Sequence, residues 1–226
     1  MSSEKPIRFQ GAMIRALLNG SKTQDRQVVK PQPFITELGD ENGTLAPYWV
    51  VDTPAMTLPV SRLSAWPVGD EPFVRLGTYE VGMRLRVRET WQVWTEFNNV
   101  PANDLPPEAR THINYPADGN LWDARQRPSI FMPRWASRIT LEICEVRVER
   151  LNEITTRDAE AEGVNCFDYP GSRQGDETQF QACYRMLWNS TNGAKYPFES
   201  NPWVFAITFR RLEMARAPAP QPMRRR

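Results

Sequence analysis

The chain has 226 residues, and its 40% hydrophobic and 24% charged content is ordinary for a globular protein. Lys and Arg total 28 and Asp and Glu total 27, so the net charge of +1 gives no overall signal for nucleic-acid binding. The one histidine, His112, excludes a histidine-rich metal site and argues against Ser-His-Asp or Cys-His catalysis. We therefore expect neither a metal nor a cofactor, and any catalysis has to use Lys, Asp, Glu, Thr or Tyr.

Cysteine usage and hydropathy indicate the compartment. The three cysteines, Cys144, Cys166 and Cys183, are odd in number and form no CxxC pair. This pattern argues against a disulfide framework or a zinc knuckle and fits a reducing cytosol. No apolar stretch resembles a signal peptide or approaches the roughly 18 residues of a membrane span. We expect a cytoplasmic protein without a membrane partner.

The first elements predicted along the chain are a short strand, a helix and a second strand. Residues 7–9 are extended, and residues 11–19 carry apolar side chains at helical spacing up to Gly20, a typical helix end. Residues 21–26 form a tight polar turn in this interpretation and lead into a strand over residues 27–30. The turn would present its charged side chains between two regular elements.

Two long insertions flank a strand with strict alternation. Residues 31–81 are rich in Pro, Gly and Asp and predict little regular structure, and residues 95–127 form a second polar insertion. Between them, residues 82–94 alternate between the two faces of a strand. One face carries Met83, Leu85, Val87, Glu89 and Trp91, and the other carries Arg84, Arg86 and Arg88. The first face is predicted to point into the core.

The second half of the chain predicts the longest strand, two helices and a final strand. Apolar positions over residues 139–148 change parity at Cys144, which predicts a bulge or bend. Thr155 and Asp158 form a capping-box pattern at the start of a short helix that Gly163 ends. Residues 180–188 predict an amphipathic helix, residues 203–209 a central strand, and residues 214–226 a disordered basic tail.

The order of these elements predicts an α+β fold. About five strands are scattered among three helices, which fits a small β-barrel with flanking helices better than a doubly wound sheet. A GxGxxG phosphate loop is absent from the sequence. We expect a single domain over residues 1–213 that carries both insertions.

The charged segment at Lys22 is the first candidate site. Lys22 and Arg26 can bind a phosphate or a base carbonyl, and Asp25 can accept a base amino group or move a proton. A solvated turn is the alternative interpretation. Glu162 is a second candidate, because a carboxylate in the last turn of a helix opposes the helix dipole, although most such glutamates are surface residues.

Glu89 and an aromatic–basic block are further candidates. Glu89 shares the inward face of its strand, so it needs a cation such as Lys22 or an arginine, unless the barrel ends before it and leaves it on a wet rim. Arg134 and Trp135 suit phosphate binding with base stacking, and packing of Trp135 in the core is the alternative. The face that carries Arg88 either contacts phosphates or is solvated.

Five ordered blocks occupy residues 20–26, 82–91, 132–140, 159–163 and 201–204, spread over most of residues 7–212. With these blocks the chain resembles the ASCH-domain proteins, in particular their phage and prophage branch. The resemblance implies a PUA-like β-barrel with a cleft beside the first helix. It also implies RNA, single-stranded nucleic acid or a modified nucleoside as the partner, in the host cytoplasm if the protein is encoded by a phage.

The resemblance also implies roles for individual residues. One bacterial branch is similar to an amidohydrolase that removes the acetyl group from acetylated cytidine nucleosides, and other ASCH proteins resemble ribonucleases. By position, the catalytic lysine and glutamate fall on Lys22 and Glu162, while Asp25 stands where that branch has a threonine. Aspartate cannot be the same hydroxyl nucleophile, so Asp25 acts as a base toward water or the amidase chemistry is absent. The residues expected to bind the substrate or nucleic acid are Thr23, Arg26, Arg88, Glu89, Trp91, Arg134, Trp135 and Arg138.

Three functions follow as hypotheses. The first is a module that binds nucleic acid or a modified nucleobase, and it needs only a cleft, cations and aromatic side chains. The second is a metal-independent hydrolase, which needs Lys22 within hydrogen-bond reach of Asp25, Glu89 or Glu162. The third is a phage structural or host-interaction protein, in which the barrel is only a scaffold. The first two require these charged side chains to share one hollow.

Overall fold

A computed structural model describes residues 4–30, 32, 79–119, 123–167, 170 and 173–212 in full, together with the backbone of three strands between residues 34 and 59. The strands are β1 (Glu4–Arg8), β2 (Gln24–Val28), β3 (Phe34–Gly39), β4 (Leu45–Val50), β5 (Thr57–Pro59), β6 (Arg84–Arg88), β7 (Thr140–Arg150) and β8 (Trp203–Leu212). The helices are α1 (Gly11–Asn19), α2 (Pro107–Thr111), α3 (Thr156–Ala161) and α4 (Gln179–Asn192). The predicted tail over 214–226 lies outside the described residues.

The main sheet has five strands in the order β1-β6-β7-β8-β2 and gives the molecule its mixed α+β class. β1 and β6 are parallel, whereas β6 pairs antiparallel with β7 and β2 pairs antiparallel with β8. Within the described residues, no pairing joins β1 to β2, so the sheet is not closed there. The predicted α+β class is confirmed, and closure into a barrel stays a prediction.

The first insertion contains more regular structure than its composition indicates. β3, β4 and β5 form a separate antiparallel sheet in that order. The expectation of little regular structure over residues 31–81 is therefore wrong for these strands. The strands run through Pro47 and Pro59, residues that weaken any strand signal in a single sequence.

By its contacts the chain divides into two compact units. Unit 1 comprises Met1–Arg15, Gly82–Glu142 and Arg210–Arg226, and unit 2 comprises Ala16–Val81 and Ile143–Phe209.

In unit 1, β6 supplies the inward face that its alternation predicted. Leu85 and Val87 are buried, and Leu85 pairs in register with Leu141 of β7. A second cluster consists of Trp91, Val93, Leu105, Ala109, Met132 and Ala136. Because Leu105 and Ala109 belong to residues 95–127, the second insertion is not simply polar but completes this core.

In unit 2, β8 is buried on both faces, as expected for a strand inside a sheet. Val204, Phe205, Ala206 and Ile207 are all buried, and β8 lies between β7 and β2 in the sheet order. On β7, Cys144 and Glu145 are consecutive exposed residues. The predicted change of parity at that point is confirmed.

Helix α3 follows its sequence signals closely. Thr155 is the N-cap, its hydroxyl accepts from the Asp158 backbone N–H, and the Asp158 carboxylate accepts from the Thr155 backbone N–H. Gly163 follows the helix with φ +73°. The capping box and the glycine stop are confirmed. Of the helices in the described part of the chain, none is long and apolar enough to cross a membrane.

The cysteine prediction needs a correction. Cys166 and Cys183 form a disulfide in unit 2, which joins the loop after α3 to the buried face of α4. The odd count and the missing CxxC pair argued against a disulfide framework, but spacing in sequence does not report which sulfurs meet in space.

Candidate functional site

The backbone of unit 2 brings the segment after α1 against the end of α3. Lys22 N–H donates to the Ala16 carbonyl at 3.0 Å, and Thr23 N–H donates to the Ala161 carbonyl at 2.8 Å. Lys22 and Glu162 form an isolated antiparallel bridge. These contacts bury Lys22 and leave Thr23 exposed.

The segment 21–26 is not the solvated turn of the alternative interpretation. Gln24 already begins β2, where Asp25 and Arg26 pair in register with Ile207 and Ala206 of β8. The predicted strand at 27–30 therefore starts too late. Charged side chains are rare in buried strands unless they are paired, so the partners of these residues decide the local structure.

The ammonium group of Lys22 is fully buried and surrounded by acceptors. Its Nζ lies 2.9 Å from Asp25 Oδ1 and 2.9 Å from Glu162 Oε2. It also donates to the Gln24 carbonyl at 2.8 Å and the Glu162 carbonyl at 3.1 Å. The lysine and both predicted catalytic carboxylates therefore converge. We call Lys22, Asp25 and Glu162 the lysine–carboxylate cluster.

Arg26 extends this cluster with a second buried cation. Its Nη1 donates to Glu162 Oε1 at 3.0 Å and to Gln24 Oε1 at 2.7 Å. Its Nε and Nη2 donate to Glu149 Oε1 at 3.0 and 2.6 Å. Glu162 thus lies between two cations, one bound to each carboxylate oxygen.

Burial and charge shift the titration of these groups in opposing ways. Burial alone lowers the pKa of Lys22, but the charges of Asp25 and Glu162 outweigh it and leave that pKa above its ordinary value. Burial raises the pKa of Glu162, and the charges of Lys22 and Arg26 only partly offset this rise. Lys22 is therefore a protonated donor at neutral pH, whereas Glu162 takes up a proton more readily than an exposed glutamate.

Two tyrosines border the lysine–carboxylate cluster. The ring of Tyr184, on α4, lies 6.0 Å below the Arg26 guanidinium, and burial raises its pKa well above the ordinary value. Burial, with a smaller contribution from the charge of Asp25, raises the pKa of Tyr79 to about 12. Both phenols stay protonated at neutral pH and can act only as neutral donors or acceptors.

The backbone at Gly163 approaches Lys22 so closely that a side chain would not fit. A Cβ added there would lie 2.7 Å from Lys22 Cβ and 2.8 Å from Ala16 Cβ. The glycine therefore both ends α3 and allows Glu162 to reach the lysine.

Glu89 has its own partners in unit 1. It is 2% exposed, and Arg138 donates to its two oxygens through Nε at 2.9 Å and Nη2 at 3.0 Å. Arg138 also binds Asp118, at 2.7 Å. Of the two alternatives for Glu89, the buried and arginine-paired one is confirmed. Its convergence with Lys22 stays a prediction.

The remaining expected binding residues also lie in unit 1. Trp91 is fully buried, with Trp135 packed edge-on at 5.8 Å between ring centroids. Trp135 keeps 36% of its surface exposed. The Arg134 side chain is 74% exposed and pairs with Glu4, while Arg88 donates to the Ile130 carbonyl. Trp91 is therefore a core residue, whereas Trp135 and Arg134 can reach a ligand.

Sequence reasoning missed several members of the charged network. Glu149 and Asp158 lie 2.6 and 3.4 Å from Arg26 Nη2. Alternation along β7 could have identified Glu149, because it places this residue on the other face of the strand from the buried Val148. Asp158 was assigned only to the cap of α3. In the described ranges, no group of three or more His, Cys, Asp or Glu side chains could hold a metal ion.

Comparisons with known proteins give one similar structure. No protein-family model matches the sequence, and no curated protein matches it. The chain is similar to the crystal structure of an ASCH domain from Lactobacillus crispatus JV V101, at 10% identity and a TM-score of 0.35, over 92% of this chain and 79% of that chain. A TM-score this low does not define a shared fold, so the ASCH resemblance rests on the five sequence blocks.

Proposed function

We propose that this protein binds nucleic acid or a modified nucleobase, and that its ligand contacts the lysine–carboxylate cluster. The observation that carries the proposal is the placement of Lys22 Nζ at 2.9 Å from both Asp25 and Glu162, with all three side chains at most 8% exposed. The PUA-like barrel, a phage or prophage origin and a cytoplasmic location belong to the same proposal.

Buried charge of this kind favours a functional site over a purely structural one. Removing an ion from water costs several kcal/mol even after relaxation, and apolar replacements of buried ion pairs are often no less stable. Groups with shifted pKa values in such positions are concentrated at functional sites. A base edge would displace one of the four acceptors around Lys22 Nζ. A protonated lysine and a carboxylate would then supply the donor and the acceptor that the carbonyl and amino groups of the base require.

Binding assays with conservative variants test this proposal. Asp25→Asn keeps the shape of the side chain but removes its charge, and we expect affinity for cytidine-type nucleosides or single-stranded RNA to fall about tenfold. Lys195→Ala, which removes an exposed lysine, is the control and should bind as the unchanged protein does. Lack of binding by the unchanged protein to nucleosides, RNA and DNA would favour a structural or host-interaction role instead.

A metal-independent hydrolase is the second candidate, and the same 2.9 Å contacts favour it. In that reaction Asp25 accepts a proton from water as the water attacks the acyl or phosphoryl centre, while the protonated Lys22 stabilises the developing negative charge. The C–N or P–O bond to the leaving group then breaks, and the proton passes from Asp25 to the leaving nitrogen or oxygen. Asp25 takes the role of the base because it stands at the position of the threonine nucleophile in the amidohydrolase branch.

Turnover separates the two candidates. A hydrolase releases acetate from acetylcytidine or cleaves single-stranded RNA, and Lys22→Ala abolishes that release while the protein still folds by circular dichroism. Unchanged turnover in the Lys22 variant removes Lys22 from the mechanism. Binding without any turnover leaves the first candidate.

A further inference from the structure

Unit 1 contains a pocket that takes no part in the proposed contact with the lysine–carboxylate cluster. It has a volume of about 450 Å³ and is lined by Trp91, residues 98–103, Arg125, Arg127 and Phe131 together with Pro128. That volume falls within the roughly 300–1,000 Å³ typical of small-molecule sites.

Arg127 is held rigidly at the wall of this pocket. Its backbone N–H donates to the Trp91 carbonyl at 2.8 Å, and its Nη2 donates to the carbonyls of Phe97 and Val100 at 2.6 and 2.8 Å. The guanidinium carbon lies 5.1 Å from the centroid of the Trp91 ring. The cation is thus positioned before any ligand arrives, which lowers the entropic cost of binding.

Among the described residues, no salt bridge neutralises the positive charge in the pocket. In the part of the chain that the structure describes, no carboxylate forms a salt bridge with Arg125 or Arg127. Arg127 Nε is buried without a hydrogen-bond partner in that same part. Burial and then the like charge of Arg125 lower the pKa of Arg127. The charge of a bound anion would raise the pKa of Arg127 and weaken its repulsion from Arg125.

We propose that this pocket binds a nucleotide, free or as a unit of a single strand, with its phosphate at Arg125 and Arg127 and its base against Phe131. The exposed guanidinium of Arg125 can bind two phosphate oxygens in a bidentate geometry. Arg127 Nη2 already donates to two carbonyls, so Arg127 contributes its charge and its Nη1 donors. The Phe131 side chain is 69% exposed, so its face is open to stack on a base. Asn98, Asn99 and Asn103 line the same pocket, and a side-chain amide can pair with a base edge. Asn98 Oδ1 already accepts from the Arg125 backbone N–H at 3.0 Å.

Equilibrium dialysis with a nucleoside monophosphate tests the proposal. Arg125→Ala removes an exposed side chain, and we expect it to weaken nucleoside monophosphate binding about tenfold. Arg8→Ala removes an exposed arginine of β1 and should leave the affinity unchanged. Phe131→Ala should weaken binding of the nucleotide but not of inorganic phosphate. Affinity for the nucleoside that lacks the phosphate should be the same in Arg125→Ala and in the unchanged protein, which keeps this test separate from that of the lysine–carboxylate cluster.

Several outcomes would overturn the proposal. Equal affinity of the unchanged protein, Arg125→Ala and Arg125→Glu would exclude the phosphate contact. Inorganic phosphate that binds as tightly as the nucleotide would exclude the contact with the base. A single-stranded oligonucleotide that binds more tightly, with the same dependence on Arg125, would identify the strand as the occupant and would support the proposal.

Discussion

At the scale of single residues, Glu89 illustrates what alternation along a strand can predict. Its parity with Val87 and Trp91 predicted an inward side chain, and that side chain is buried. The need for a cationic partner followed from the cost of burying a carboxylate. The identity of that partner could not be predicted, because Arg138 lies 49 residues from Glu89 in sequence and only folding brings the two together.

Truncation of Arg138 should be strongly destabilising and dependent on pH. We expect Arg138→Ala to lower the free energy of unfolding by about 3–5 kcal/mol near neutral pH, because it leaves an unpaired buried carboxylate. Burial already raises the pKa of Glu89, with Arg138 opposing that rise. Without Arg138 the folded protein holds the Glu89 proton more tightly than the unfolded chain does. The loss of unfolding free energy caused by Arg138→Ala should therefore become smaller as the pH falls toward the ordinary glutamate pKa.

Urea unfolding at about pH 8 and about pH 5 measures this change, since pH 5 lies nearer the ordinary glutamate pKa than pH 8 does. Arg134→Ala is the matched control, because its side chain is 74% exposed in its pair with Glu4. It should cost at most about 1 kcal/mol at either pH. Equal deficits of Arg138→Ala at both pH values would contradict a buried ionised Glu89.

Gly163 should tolerate no side chain. An alanine there meets Lys22 Cβ and Ala16 Cβ at 2.7 and 2.8 Å, at φ +73°. We expect Gly163→Ala to cost about 2–5 kcal/mol by urea unfolding, from left-handed strain together with overpacking. Gly20→Ala is the control, since it has φ +85° but nothing within 4 Å. It should lose only about 1–2 kcal/mol, from strain alone. Equal losses in both variants would exclude the close packing at Gly163.

At the scale of elements, local signals were sufficient where an element is defined by its own residues. The start and end of α3 followed from Thr155, Asp158 and Gly163, because caps and stops act within one turn. β2 could not be predicted in the same way. Its residues 24–26 are polar, and they are buried only because α3, β7 and β8 supply their partners.

The N-cap of α3 provides a test at this scale, since the helix carries Glu162 to the cluster. Thr155→Ala removes the hydroxyl that accepts from the Asp158 backbone N–H at 3.1 Å. We expect a loss of about 1 kcal/mol in the free energy of unfolding. Thr155→Ser keeps the acceptor and should restore most of that loss. If serine proves as destabilising as alanine, the cap is not the source of the effect.

At the scale of the whole molecule, the strands were more predictable than their arrangement. Each strand of the main sheet was indicated by a local pattern, although the bounds of β1, β2 and β6 were misplaced. The order β1-β6-β7-β8-β2 depends on pairings between distant segments, to which single-sequence patterns are blind. The same limit applied to the cluster, where the ASCH resemblance, and not spacing, selected Lys22 together with Glu162.

The disulfide links global stability to the redox state of the surroundings. Cys166 and Cys183 are 17 residues apart, and closing a loop of that size stabilises a protein by about 3 kcal/mol through the unfolded state. We expect a reductant to lower the free energy of unfolding by about that amount.

Cys183→Ala should abolish the response to reductant, whereas Cys144→Ser, outside the bond, should retain it. Thiol titration in denaturant should detect fewer thiols before reduction than after it. A reductant-independent unfolding midpoint would exclude the bond in solution and would agree with the reducing compartment that the cysteine pattern predicts, because disulfides seldom persist there.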